Sequence, residues 1–119
     1  MASFLEKNRE ERAKVKKELA EGLAIISSQL QALGARKIIL FGSYSSGDVH
    51  QWSDLDLLVV MPNTKTSKEW LKEIAVKVER PVAADIFPYT PEDFEHMKTT
   101  SRFVRHAITT GRVIYERKE

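Results

Sequence analysis

The chain of 119 residues is 42% apolar, which suffices for one hydrophobic core and predicts a single domain over residues 1–119. Its 19 Lys and Arg and 17 Asp and Glu nearly balance, so the overall charge favours no anionic partner and any anion site must be local. The absence of cysteine excludes disulfides, a thiolate nucleophile and cysteine-ligated zinc. The short apolar runs exclude a transmembrane helix, so we expect a soluble cytoplasmic protein.

A long amphipathic helix is predicted at the start of the chain. Ser3 and Glu6 have the spacing of a capping box. Apolar residues then recur at spacings of three and four from Val15 to Leu33, and Gly34 is a typical C-terminal stop. The charged beginning of this helix is either a solvated face or a projecting surface that docks on a partner.

Strands and further helices follow this helix. The predicted strands are short apolar runs, namely Lys37–Phe41, Leu55–Met61, Val82–Phe87 and Arg112–Tyr115. The predicted turns and helices are a turn over Ser43–Asp48 that can open a short helix, helices capped by Ser67 and Thr90, and a helix through Phe103 that stops at Gly111. The order α-β-α-β-α-β-α-β indicates an α/β or α+β fold with a small mixed sheet flanked by helices.

Two aspartates stand at the head of the second predicted strand. Side chains alternate between the two faces of a strand, so Asp54 and Asp56 project to the same side about 7 Å apart. Two carboxylates on one face repel each other and are costly to bury without a cation between them. Carboxylate oxygens with no histidine or thiol nearby suit Mg²⁺ or Mn²⁺, whose open positions phosphate oxygens can fill.

A glycine–serine turn follows the first predicted strand. Gly42 permits close approach of the backbone, free N–H groups in the turn can point at an anion, and the Ser43 hydroxyl adds a donor. Taken separately, such a turn and a pair of aspartates at a strand end are common structural features. Together, on consecutive strands, they place a phosphate cradle and metal-binding carboxylates at one sheet edge.

A third carboxylate, Asp85, lies within the predicted strand Val82–Phe87. Beside the second strand, it would complete a cluster of three carboxylates that can hold two metal ions. One ion would carry a triphosphate and the other would lower the pKa of an attacking hydroxyl. The alternative is an ordinary ion pair between Asp85 and one of the 19 Lys and Arg residues.

The residues Gly42-Ser43, followed after ten positions by Asp54-Leu55-Asp56, read GSx10DxD. This pattern resembles the signature of the polymerase β-like nucleotidyltransferase superfamily, and Asp85 stands where that superfamily carries its third carboxylate. The short chain and the stretch SDLDLLVV look like the minimal nucleotidyltransferases, which are found as antitoxin partners of helical HEPN toxins. The resemblance covers residues 36–88 and implies a nucleotidyltransferase fold.

The activity implied by this resemblance is transfer of a nucleoside monophosphate, commonly AMP from ATP, to a hydroxyl, with pyrophosphate as the leaving group. Nucleotide binding is implied for Gly42, Ser43 and Ser53. The implied acceptor is a tyrosine of a HEPN-type toxin, and a homo-oligomer is the other partner that we expect. Neither a membrane nor direct nucleic-acid binding is expected.

The resemblance also implies a catalytic centre with two ions of Mg²⁺ or Mn²⁺. Asp54 and Asp56 would hold both ions, while Asp85 would bind the catalytic ion and help to deprotonate the acceptor.

One departure from the family pattern concerns positive charge. Many relatives carry a basic residue in the loop, but no Lys or Arg lies between Ser43 and Asp54. The missing cation would weaken triphosphate binding unless Lys65, Lys68 or another distant residue substitutes for it. The competing hypothesis is a domain with a vestigial site that acts as an interaction module or contact antitoxin. An aminoglycoside-type nucleotidyltransferase is a third hypothesis, although such enzymes usually need an added domain to hold the acceptor.

Overall fold

The structure is a computed structural model that describes residues 4–42, 45 and 54–118, with side chains from residue 9 onward within these ranges. Its helices and strands are α1 (Phe4–Ala32), β1 (Lys37–Phe41), β2 (Leu55–Val60), α2 (Ser67–Lys77), β3 (Ala84–Tyr89), α3 (Pro91–Thr100), α4 (Arg102–Thr110) and β4 (Arg112–Glu116). Over these ranges, the helices are all too short or too polar to cross a membrane.

The strands form one mixed sheet in the order β3-β2-β1-β4. β1 pairs antiparallel with β2 and β4, whereas β2 and β3 are parallel. Parallel neighbours need a crossover, and α2 provides it by returning the chain from the end of β2 to the start of β3. We name the end of the sheet where β1 ends and β2 and β3 begin the acidic end.

Helices cover both faces of the sheet. On one face, Ile26 of α1 packs in a cluster with Leu57 of β2 and with residues of α2. On the other face, Val104 of α4 packs in a cluster with Leu58, the next residue of β2, and with residues of α3. Because β2 is buried on both faces, its residues from Leu57 onward are continuously apolar, as the sequence predicted.

The helix α2 begins one residue away from the prediction. Its N-cap is Thr66, whose hydroxyl accepts from the Glu69 N–H while the Glu69 carboxylate accepts from the Thr66 N–H. Ser67, the predicted cap, instead accepts from the Thr90 N–H and donates to the Asp93 carboxylate, which links α2 to α3. The expected cap at Thr90 is confirmed, because its hydroxyl accepts from the Asp93 N–H.

The strand β3 begins and ends two residues later than Val82–Phe87, the predicted range. Pairing with β2 begins at Leu55 and Ala84, while Val82 packs against the core cluster on the α1 face. The capping box expected at Ser3 lies outside the described residues, as does the turn predicted from Ser43 except for Ser45.

The side chain of Gln29 links α1 by hydrogen bonds to the connection between α2 and β3. Its side-chain amide donates to the Glu79 carbonyl at 2.8 Å and accepts from the Glu79 N–H at 2.8 Å. We expect Gln29→Ala to lower the free energy of unfolding by about 1–2 kcal/mol, because it removes two hydrogen bonds that join distant segments. Urea unfolding measures the loss. Gln31→Ala, which removes only a bond to Ser27 on the same helix, is the control, and an equal loss there would contradict the prediction.

Candidate active site

The register of the sheet brings the aspartates together. Asp56 is the cross-strand neighbour of Asp85 in the parallel pair and of Phe41 in the antiparallel pair. Asp54 immediately precedes β2 and lies near enough for its charge to act on Asp56. Asp56 is half-buried, whereas Asp54 and Asp85 are exposed. All three carboxylates are therefore at the acidic end of the sheet.

The surroundings of Asp56 disfavour its charged form. Burial, and after it the negative charges of Asp85 and Asp54, raise the pKa of Asp56 above its ordinary value of 3.8. Within the described ranges, the ion pairs of Lys65, Lys77 and Lys98 are made with glutamates and not with these three aspartates. The alternative of an ordinary ion pair for Asp85 therefore finds no support among the described side chains.

Gly42 lies against the Asp56 carboxylate at the end of β1. Its φ is +82°, in the left-handed region that favours glycine. A Cβ at this position would overlap the Asp56 carboxylate. Glycine therefore lets the backbone turn away from β1 while the carboxylate stays in contact with it.

Among the residues that the structure describes, the metal-binding donors at the acidic end are carboxylate oxygens, which suit a hard cation. Among residues 4–42, 45 and 54–118, no group of three or more acidic or histidine side chains is arranged to hold a metal ion by itself. Asp56 and Asp85, adjacent in the sheet register, are the pair that could share one. A cation between them would favour the charged form of Asp56, whose pKa is raised first by burial and then by the charges of Asp85 and Asp54.

Comparisons with known proteins bear on this arrangement. The model of the nucleotidyltransferase domain family matches residues 19–109. The chain belongs to this family. The fold of this nucleotidyltransferase domain is also that of a candidate nucleotidyltransferase from Sulfolobus solfataricus, with 16% identity, a TM-score of 0.50 and coverage of 92% of this chain and 87% of the other.

A second solved structure, a toxin–antitoxin with AMP-PNP, is 19% identical with a TM-score of 0.44, and the match covers 87% of this chain and 74% of that one. No curated protein matches the sequence. Membership of the nucleotidyltransferase domain family by itself supports general nucleotidyl transfer as the class of chemistry.

Two predicted site residues of this nucleotidyltransferase domain, Ser43 and Ser53, lie outside the described residues. Of the predicted phosphate cradle, only Gly42 is described. Nucleotide binding by Ser43 and Ser53 stays a prediction.

The two lysines that we considered as substitutes for the missing loop cation lie at the other end of the sheet. Lys65 and Lys68 follow β2 and lie opposite the acidic end, because α2 begins beside the end of β3. Lys65 pairs there with Glu73 at 3.3 Å, and its ammonium lies 4.8 Å from the centre of the Trp70 ring. Neither lysine can supply charge beside Asp56.

Arg80 is the residue that sequence reasoning missed. The helix α2 returns the chain to the acidic end, where Arg80 Nη1 donates to the Ala84 carbonyl at 2.9 Å, one residue before Asp85. The available signal was the position of Arg80, between a predicted helix and the strand that carries Asp85. In a parallel crossover, that connection must lie at the end where both strands begin.

Proposed function

We propose that this nucleotidyltransferase domain transfers a nucleoside monophosphate, AMP from ATP, to a hydroxyl of a separate protein. The observation that carries the proposal is the adjacency of Asp56 and Asp85 across the β2–β3 pair, at a sheet end where Gly42 makes room for the carboxylate. Carboxylates held side by side lower stability unless a cation joins them. Their arrangement is therefore better explained by cation binding than by packing.

Two ions of Mg²⁺ or Mn²⁺ are the proposed cofactors, with Asp54, Asp56 and Asp85 as their protein ligands. Because no three described side chains are arranged to hold an ion by themselves, triphosphate oxygens would supply the remaining ligands. When bound, such ions neutralise charge on the triphosphate and lower the pKa of the acceptor hydroxyl. The proposal is supported by the raised pKa of Asp56, because burial and two neighbouring negative charges leave that carboxylate in need of a positive partner. Arg80, anchored at the same sheet end, is proposed to supply the positive charge that the loop lacks.

In the proposed reaction, the acceptor oxygen attacks the α-phosphorus of ATP. The bond from that phosphorus to the oxygen bridging the β-phosphate breaks, and its electron pair leaves with pyrophosphate. The hydroxyl proton goes to Asp85. This assignment is supported by the position of Asp85 on the edge strand β3, where its exposed side chain is open to an incoming group. Asp56 is half-buried on an inner strand, so we assign it to holding the phosphates in place through the ions.

The proposed acceptor is a tyrosine of a HEPN-type toxin, which would make this chain an antitoxin of the cytoplasm. The support is the GSx10DxD pattern together with the stretch SDLDLLVV, which resembles the minimal nucleotidyltransferases. Modification of the toxin would then neutralise it, in contrast to neutralisation by contact alone.

We expect label from the α-phosphate of ATP to appear on the partner protein in the presence of Mg²⁺. Asp54→Ala should reduce this transfer about a hundredfold or more, because a misplaced triphosphate reacts slowly even when it is bound. Label at the γ-phosphate should not transfer, which separates nucleotidyl from phosphoryl transfer. Glu18→Gln, which removes an exposed carboxylate on α1, is the control and should transfer label like the wild type.

The same variants distinguish the enzyme from a contact antitoxin. When the toxin is co-expressed, wild type and Glu18→Gln should restore growth and Asp54→Ala should not. Unchanged label transfer by Asp54→Ala would contradict the proposed function. Restored growth by Asp54→Ala without label on the toxin would favour the interaction module.

A further inference from the structure

Three phenylalanine rings from three separate elements meet next to the acidic end of the sheet. Phe41 ends β1, Phe87 lies in β3 and Phe103 lies in the first turn of α4. The ring centres of Phe87 and Phe103 are 5.0 Å apart, those of Phe41 and Phe103 are 5.5 Å apart, and those of Phe41 and Phe87 are 6.1 Å apart. We name these three residues the Phe cluster.

The Phe cluster lies on the same face of the sheet as the carboxylates. Phe41 is the cross-strand partner of Asp56, and side chains directly opposite each other share a face. Phe87 is two residues beyond Asp85 in β3, so it also shares that face, about 7 Å further along the strand. The rings and the carboxylates are therefore neighbouring parts of one surface.

Phe103 is the open member of the cluster. It is 44% exposed, whereas Phe41 is 7% exposed. Both inner rings contact Phe103 edge-on, with interplanar angles of 78° for Phe41 and 66° for Phe87. These contacts hold the exposed ring in one orientation, so a planar ligand that stacks on it would lose little side-chain entropy.

We propose that Phe103, held in place by Phe41 and Phe87, is the surface on which the base of the nucleoside triphosphate stacks. A nucleotide base is the expected ligand, because a triphosphate bound at the carboxylates carries a planar base within reach of the same face. The inference rests on the proposed function and adds the base-binding residue to it. Since stacking needs only a π-face, ATP and GTP should bind with similar affinity.

The test compares Mg²⁺–ATP with Mg²⁺–tripolyphosphate, which has the phosphates but no base. Isothermal titration of each ligand into the full chain without an acceptor gives the affinities. Phe103→Ala should weaken ATP binding about tenfold and leave tripolyphosphate binding unchanged. Phe103→Tyr, which keeps the ring, should bind ATP like the wild type. Leu71→Ala removes a comparably exposed apolar side chain, 50% exposed on α2, and should change neither affinity.

The outcomes separate this inference from the proposed function. If the wild type binds neither ligand, the proposed function fails and the inference fails with it. If the wild type binds both and Phe103→Ala leaves ATP binding unchanged, the inference is overturned and the proposed function stands. Equal weakening of both ligands also overturns it, because Phe103 would then act on the phosphate site. If the alanine variant fails to fold, Phe103→Leu, which keeps the apolar volume without the ring, takes its place. Unchanged ATP binding by this variant would likewise overturn the inference.

Discussion

Asp56→Asn is expected to abolish nucleotidyl transfer and, without metal, to raise the stability of the protein. The loss of activity, about a hundredfold or more, follows because the amide cannot replace a carboxylate as a ligand for the proposed ions. The gain in stability follows because burial and the charges of Asp85 and Asp54 disfavour the Asp56 carboxylate in the folded state. One substitution thus moves activity and stability in opposite directions, which a merely structural aspartate would not do.

The stability gain should depend on pH in a defined direction. Because folding raises the pKa of Asp56 above 3.8, the folded state binds more protons than the unfolded state between the two pKa values. The contribution of Asp56 to wild-type stability therefore falls as the pH rises through that window. Asparagine does not titrate, so the difference in Tm between variant and wild type should widen as the pH rises from about 4 towards neutrality.

Thermal unfolding with a chelator present measures this difference, and Glu18→Gln is the control because its carboxylate is exposed on α1. Addition of Mg²⁺ should raise the Tm of the wild type more than that of Asp56→Asn, because ligand binding to the folded state stabilises it. Wild-type levels of transfer by Asp56→Asn, or a Tm difference that narrows as the pH rises, would contradict the prediction.

Gly42→Ala is expected to have the second large effect, on both stability and activity. An alanine at a φ of +82° is strained by about 1–2 kcal/mol, and its Cβ would also push the Asp56 carboxylate out of position. A small displacement of a catalytic group lowers the rate steeply, so transfer should fall about a hundredfold.

Gly34→Ala is the matched control for this prediction. Gly34 also has a positive φ, of +105°, but a Cβ there would meet Pro62 at 3.3 Å, far from the carboxylates. Both variants should lose similar stability in urea unfolding, while only Gly42→Ala should lose transfer at saturating ATP. Equal activity in the two variants would show that contact between Gly42 and Asp56 is unimportant for the reaction.

Much of the fold could be predicted because its signals are local. The apolar spacing from Val15 to Leu33 indicates α1, and Thr90 followed by Pro91 indicates the start of α3, both of which are confirmed. The observed bounds of β3 and the start of α2 differ from the predicted ones. At these places, contacts with distant segments compete with local sequence signals of similar strength. Ser67 can cap a helix, but its hydroxyl is used to join α2 to α3.

The arrangement around the site depended on contacts between distant segments. Side chains alternate between the two faces of a strand, so the two-residue spacing of Asp54 and Asp56 predicts that they share a face. This prediction uses the local sequence alone. The neighbour of Asp56 could only be known from the pairing of β2 with β3. The positions of Lys65 and Arg80 could likewise not be predicted from the local sequence, because the direction of α2 determines which of the two lies at the acidic end.

The sequence by itself therefore determined the helices, the strands and the family to which the motif belongs, because capping, periodicity and residue spacing act over a few residues. Tertiary structure alone decided that Asp56 and Asp85 are neighbours, that Arg80 rather than Lys65 or Lys68 lies at the acidic end, and that the Phe cluster shares the face of the carboxylates. The physical reason is that periodicity assigns a side chain to a face of its own element, whereas strand order and crossover direction assign one element to another.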